Sequence, residues 1–155
     1  MPVSGCWAAS RRGRIGRFVG EADGAELLPL RTSQDVVRVR QRVRDLTVAM
    51  GFSLVDQTKL VTAASELGRN TVDYGRGGDV RIEVLAGSGG EGLRLTFVDH
   101  GPGIPDLELA LRDGYTTGGG LGMGLGGARR LVSEFDIAST PGEGTRVTVT
   151  KWKRA

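Results

Sequence analysis

Apolar and polar positions repeat along this chain with two periods, near 3.6 and 2, and glycine-rich stretches mark where one gives way to the other. From Ser33, a candidate N-cap, to about Met50, the residues Val36, Val39, Val43, Leu46 and Met50 share one stripe, while Arg38, Arg42 and Arg44 lie off it. That spacing predicts an amphipathic helix whose arginines form a solvated face. Gly51 ends it, and a second helix is predicted from about Leu54 to Tyr74 on the stripe Leu60, Ala64, Leu67 and Thr71. The period then drops to 2. VRIEVLA (80–86) and LRLTFVD (93–99) alternate around the flexible loop GSGGEG, which predicts an antiparallel hairpin burying Val80, Ile82, Val84, Leu93, Leu95 and Phe97. A short strand from Glu26 to Leu30 precedes the first helix. After the hairpin come a short helix starting at Pro105, a helix to about Phe135 using Leu125, Ala128, Leu131 and Val132, and a closing hairpin. That hairpin is DIAST, the turn PGEG (141–144) and TRVTVTKW, with Val147 and Val149 inward.

Helices and antiparallel strands come in blocks without strand-helix-strand alternation, which predicts an α+β sandwich with helices on one face of a sheet. A chain of 155 residues is the size of one domain with a sizeable core. Residues 1 to 22 show neither period and read as a flexible N-terminal extension, leaving 23–155 as the domain. Nine arginines against four acids give residues 1–44 a charge of +5, and the remaining residues carry −2. A nucleic-acid role is not expected from this arm, because no aromatic residues for base stacking are interleaved with its arginines. Cys6 is the only cysteine and His100 the only histidine, so an internal disulfide, a cysteine zinc site and His-rich metal sites are excluded. His100 itself reads as a partly exposed loop residue. No apolar run of about 18 residues or signal-peptide pattern is present, so a cytoplasmic protein without a membrane partner is expected.

The candidate chemistry lies between Asp99 and Gly127. Asp99 continues the parity of Leu93, Leu95 and Phe97, so a carboxylate ends a core-facing row, where it is costly to bury unless hydrogen-bonded. The glycines from 118 to 127 run into a helical pattern, and backbone N–H groups at a helix start are a ready phosphate site. Gly122, Gly124 and Gly127 match GxGxxG, but a polar loop and not a strand precedes them, so the dinucleotide fingerprint fails on context. No Gly-Lys-Ser/Thr of a Walker A loop occurs. On the second helix, Glu66 and Asn70 lie one turn apart, roughly 80–120° from the centre of the buried stripe, and so look into whatever cleft the helix borders.

The ordered set Glu66-x-x-x-Asn70, Asp99-His-Gly101-Pro-Gly103-Ile104, the stretch TTGGGLGMGL (116–125) and Gly144-Thr145 resembles the GHKL ATPase and kinase superfamily. Its Bergerat fold is a two-layer sandwich with helices on one face of a mixed, mainly antiparallel sheet. Residues 26 to 154 are most similar to the serine/threonine switch kinases of bacterial stressosome modules. The resemblance implies ATP and Mg2+ as cofactors, and a role for each matching residue. Asn70 would ligate Mg2+ and Glu66 would be general base toward the attacking hydroxyl. Asp99 would accept from the adenine amino group, with Gly101 and Gly103 letting the backbone pass close to the base and Ile104 against its face. Thr116, Thr117, Gly118, Gly119, Gly120, Leu121, Gly122, Met123, Gly124 and Leu125 would fold over the triphosphate as a lid, and Thr145 would support Asp99 from the neighbouring strand.

As function, the resemblance implies an ATP-dependent protein serine/threonine kinase of a partner-switching module. It would phosphorylate STAS-domain scaffold or antagonist proteins and bind a PP2C-type phosphatase. The alternative it leaves open is an ATP-binding anti-sigma factor that sequesters a sigma factor.

Overall fold

Thr32 starts the first helix, and it does so reciprocally: its Oγ1 accepts the N–H of Asp35 while Asp35 Oδ2 accepts the N–H of Thr32 and of Arg31. This capping box satisfies orphan donors at the helix start and puts the cap one residue before the expected Ser33. In the computed structural model, which describes residues 25–112 and 124–154, this helix is α1 (Ser33–Met50). The expected extension, residues 1 to 22, lies outside the described residues. Gly51 closes α1 in the left-handed region at φ +82°, donating its N–H to Thr47 and Val48 carbonyls. Ser53 then caps α2 (Leu54–Asp73), accepting from the Asp56 N–H, and Tyr74 is the C-cap.

The strands are β1 (Ala25–Leu30), β2 (Gly78–Gly87), β3 (Gly90–Asp99), β4 (Glu134–Thr140) and β5 (Gly144–Trp152). They form one sheet in the order β1-β2-β3-β5-β4. Every pairing among the described residues is antiparallel, which narrows the mixed, mainly antiparallel sheet that the resemblance implied. Register follows the period-2 pattern: Val80 faces Phe97, Ile82 faces Leu95 and Val84 faces Leu93. The β2–β3 turn is tighter than the expected six-residue loop. Gly87 pairs with Gly90, which is at φ +106°, a conformation open to glycine at little cost.

One core fills the space between the sheet and the helices. Leu60, Ala64 and Leu67 of α2 meet Ile82, Leu95 and Phe97 of the sheet, all buried, and α1 adds Val36, Val39 and Val43. At Gly68 α1 and α2 pack closely, and a Cβ there would make an ordinary contact with Val36 at 3.5 Å. Two short helices complete the layer, α3 (Leu107–Ala110), capped by Asp106, and α4 (Gly124–Arg130). Here the expectation fails in detail, since α4 stops at Arg130 and not near Phe135. Ser133 donates its N–H to Thr150, and Phe135 pairs with Val149, so the edge strand takes these residues. Phe135 fits both patterns, three residues after Val132 and two before Ile137, and sheet pairing decides.

Candidate nucleotide site

Strand parity carries Asp99 to the end of the row Leu93, Leu95, Phe97, with Gly78 of β2 on one side and Thr145 of β5 on the other. Its Oδ1 accepts the N–H of Gly101 at 2.9 Å. Burial holds the carboxyl above the ordinary aspartate range, while backbone N–H groups of Gly101 and Thr145 and the nearby His100 draw it back down. The side chain is thus partly desolvated but hydrogen-bonded on one edge. An ionised carboxylate has about four acceptor positions, so Asp99 retains acceptor capacity for a ligand.

The loop after Asp99 is fastened by Ser139 of β4. Its Oγ accepts the N–H of Ile104 at 2.8 Å, lies 2.8 Å from Thr145 Oγ1 and 3.2 Å from the Gly144 carbonyl. One hydroxyl thus ties the loop at Ile104 to the β4–β5 hairpin. Gly103, at φ +80°, has no room for a side chain, because a Cβ would run into the Thr140 carbonyl. A Cβ on Gly101 would meet the backbone of Gly75 at 2.7 Å. Close packing of chain on chain by itself requires these two glycines.

α2 forms the wall. Glu66 and Asn70, one turn apart, both face a cavity of about 380 Å³ whose lining also includes Asp99, Gly103, Ile104, Gly124, Leu125 and Thr145. Glu66 Oε2 receives a hydrogen bond from Arg69 at 2.6 Å. Among the described residues no cluster of three or more His, Cys, Asp or Glu could hold a metal. A hard cation held here would draw its other ligands from phosphates and water, the usual arrangement for Mg2+.

Of the residues expected at the site, Glu66, Asn70, Asp99, Gly103, Ile104, Gly124, Leu125 and Thr145 come together around the cavity. Gly101 stands behind Asp99 and does not line it. Thr145 differs in detail, since its hydroxyl turns to Ser139 and its backbone N–H serves Asp99. Thr116, Thr117, Gly118, Gly119, Gly120, Leu121, Gly122 and Met123 lie outside the described residues. Sequence reasoning missed Gly75, read only as part of a turn, and Ser139, whose parity with Ile137 in the closing hairpin is its one visible signal. It also missed Phe97 and Val147 as lining residues, having placed both in the core.

A five-stranded antiparallel sheet covered on one face by helices, with a cavity lined by α2, the end of β3 and β5, is the Bergerat arrangement of GHKL ATPase domains. The chain belongs to the histidine kinase-, DNA gyrase B- and HSP90-like ATPase family, whose model matches residues 55–155. It is 45% identical over 123 residues to the serine/threonine-protein kinase RsbT of Bacillus subtilis, covering 79% of this chain and 92% of that protein. It is 29% identical over 131 residues to an anti-sigma F factor of Thermoanaerobacter, covering 82% and 92% of the two chains. Among solved structures, the RsbU and RsbW domains of a Mycobacterium tuberculosis protein match with a TM-score of 0.58 at 23% identity, a likeness of fold. That match covers 84% of this chain and 33% of the other. Among the described residues no helix is long and apolar enough to cross a membrane.

Proposed function

We propose that this protein is an ATP-dependent serine/threonine protein kinase of a partner-switching signalling module. The observation that carries the reading is the convergence of Glu66, Asn70 and Asp99 on one cavity, in a chain that shares 45% identity with a serine/threonine-protein kinase over 92% of that protein's length. The anti-sigma reading is less favoured, with relatives at 29% to 35% identity. The cavity, at about 380 Å³, falls within the usual range of roughly 300–1,000 Å³ for small-molecule sites.

Asp99 accepts a hydrogen bond from the adenine 6-amino group, which excludes guanine because guanine presents a carbonyl there. Ile104 and Phe97 supply apolar surface beside it. Asn70 offers its carboxamide oxygen to Mg2+, which when bound neutralises phosphate charge. Glu66 takes the proton of the acceptor serine or threonine hydroxyl, an effect typically worth about 10²–10⁴ in rate. Phosphoryl transfer asks the protein mainly for positioning and charge stabilisation, which suits so small a set of groups. The protein substrates are STAS-domain scaffold or antagonist proteins, and a PP2C-type phosphatase is the binding partner. The test incubates the protein with labelled ATP, Mg2+ and a STAS-domain protein encoded beside it. Label on serine or threonine is expected. ATP binding without transfer to any such neighbour would overturn the kinase reading.

A further inference from the structure

We propose that Arg69 is a positioning residue for phosphoryl transfer, acting through Glu66; this rests on the kinase reading and on Glu66 as its base. The Arg69 guanidinium donates to Glu66 Oε2 at 2.6 Å, and both residues line the cavity. Their exposures differ sharply, the Glu66 side chain being 12% exposed and that of Arg69 51%. Helical spacing offers Arg69 a second carboxylate, since Asp73 lies four residues on, at the exposed end of α2. The ion pair is nonetheless made with Glu66, the more enclosed of the two.

An exposed pair on a helix would contribute little. Here one partner is a largely enclosed carboxylate, whose desolvation leaves it dependent on the hydrogen bond it receives. The contact also divides the labour of the two oxygens. Oε2 is occupied by the guanidinium, while Oε1 makes no hydrogen bond among the described residues and is the atom left to accept a proton. In the transfer step the acceptor O–H bond breaks and its proton passes to Oε1. The hydroxyl oxygen bonds to the γ-phosphorus, and the bond from that phosphorus to the bridging oxygen breaks to release ADP. With Oε2 held, Glu66 cannot rotate away from the acceptor hydroxyl, and Arg69 supplies this restraint without touching the substrate.

The experiment measures kcat with a STAS acceptor and ATP affinity by calorimetry for wild type, Arg69→Ala, Arg69→Lys and Glu66→Gln. Arg69→Ala is expected to lower kcat by about 10–100-fold, part of what a general base contributes, while ATP affinity stays within about threefold. Arg69→Lys, which keeps the charge and loses the planar fork, is expected to recover part of the rate. An unchanged or raised kcat in Arg69→Ala would overturn the proposal. So would a loss of ATP affinity that parallels the loss of rate, or a lysine variant no better than alanine. If the alanine variant does not fold, Arg69→Gln replaces it, and the same outcomes apply. Glu66→Gln separates the two levels. Full transfer by that variant removes the base assignment itself, whereas its inactivity beside a normal Arg69→Ala removes only the role of Arg69.

Discussion

The α-carbon of Gly75 lies so close to the Asp99 carboxylate that a Cβ at position 75 would overlap its Cγ and Oδ2. Gly75 is buried just past the end of α2, and its N–H is spent on the Asn70 carbonyl at 3.0 Å, so the backbone there cannot easily retreat. One glycine thus couples the helix that carries Glu66 and Asn70 to the strand end that carries Asp99. Gly75→Ala is expected to push the carboxylate out of place and weaken ATP binding at least about tenfold, the loss of roughly one charge-assisted hydrogen bond. Calorimetric titration with ATP checks this, and unaltered affinity would mean that Asp99 has another place to sit.

Asp99 also sets a conflict between stability and binding. Its folded-state pKa is raised by burial, so folding is favoured by this group below the unfolded value of about 3.8 and loses that contribution as pH rises through the folded value. At neutral pH the ionised carboxylate is therefore a cost to the nucleotide-free protein. Asp99→Asn keeps an oxygen for the Gly101 N–H and removes the charge. Thermal melts without nucleotide are expected to show a higher Tm for Asp99→Asn at pH 7, with the gain vanishing below about pH 3.8. ATP affinity is expected to fall by about 10–100-fold in the same variant. A lower Tm at pH 7 would contradict the burial argument.

The opposite sign is expected at Asp56 in the first turn of α2. It is 1% exposed, accepts two hydrogen bonds from Arg154 at 2.9 Å each, and has Lys151 at 3.5 Å. The Arg154 hydrogen bonds outweigh desolvation and hold its pKa below the ordinary value, so its contribution is present above the unfolded pKa of about 3.8 and lost as pH falls through the lowered one. Asp56→Ala strands the enclosed Lys151 and is expected to cost about 3–5 kcal/mol by urea unfolding at pH 7. That cost should shrink on acidification, and a constant difference down to pH 2 would show that charge pairing is not its source.

Periodicity made most of the fold legible. The stripes of α1 and α2 and the parity of β2 and β3 named the core residues, because burial on one face leaves a direct trace in the spacing. The parity of Asp99 was legible for the same reason. What was not legible depends on pairing between distant segments. Phe135 satisfies two periods and is assigned only by its partner Val149. The cap moved from Ser33 to Thr32 because Asp35 reaches back to the Thr32 N–H, a choice between adjacent hydroxyl residues that spacing does not distinguish. Gly75 and Ser139 matter only because the sheet brings Asp99 to one and Ile104 to the other.

Ser139 offers the sharpest separation of loop geometry from ligand contact. It does not line the cavity, yet its hydroxyl receives the Ile104 N–H and lies beside Thr145 Oγ1 and the Gly144 carbonyl. Ser139→Ala removes the acceptor for a part-buried N–H and leaves the Thr145 hydroxyl to find another partner. A lost neutral hydrogen bond of about 0.5–1.5 kcal/mol corresponds to roughly 2–13-fold in an equilibrium constant. ATP affinity is expected to fall by about that much, because the loop carrying Ile104 then keeps only the Gly101–Asp99 bond, the bond from Gly142 to Pro102 and the close packing of Gly101 and Gly103 among the described residues. Ser139→Thr keeps the hydroxyl and should recover affinity if its added methyl is accommodated. Equal ATP affinity in wild type and Ser139→Ala would show that Asp99 and the glycine contacts fix the loop without it.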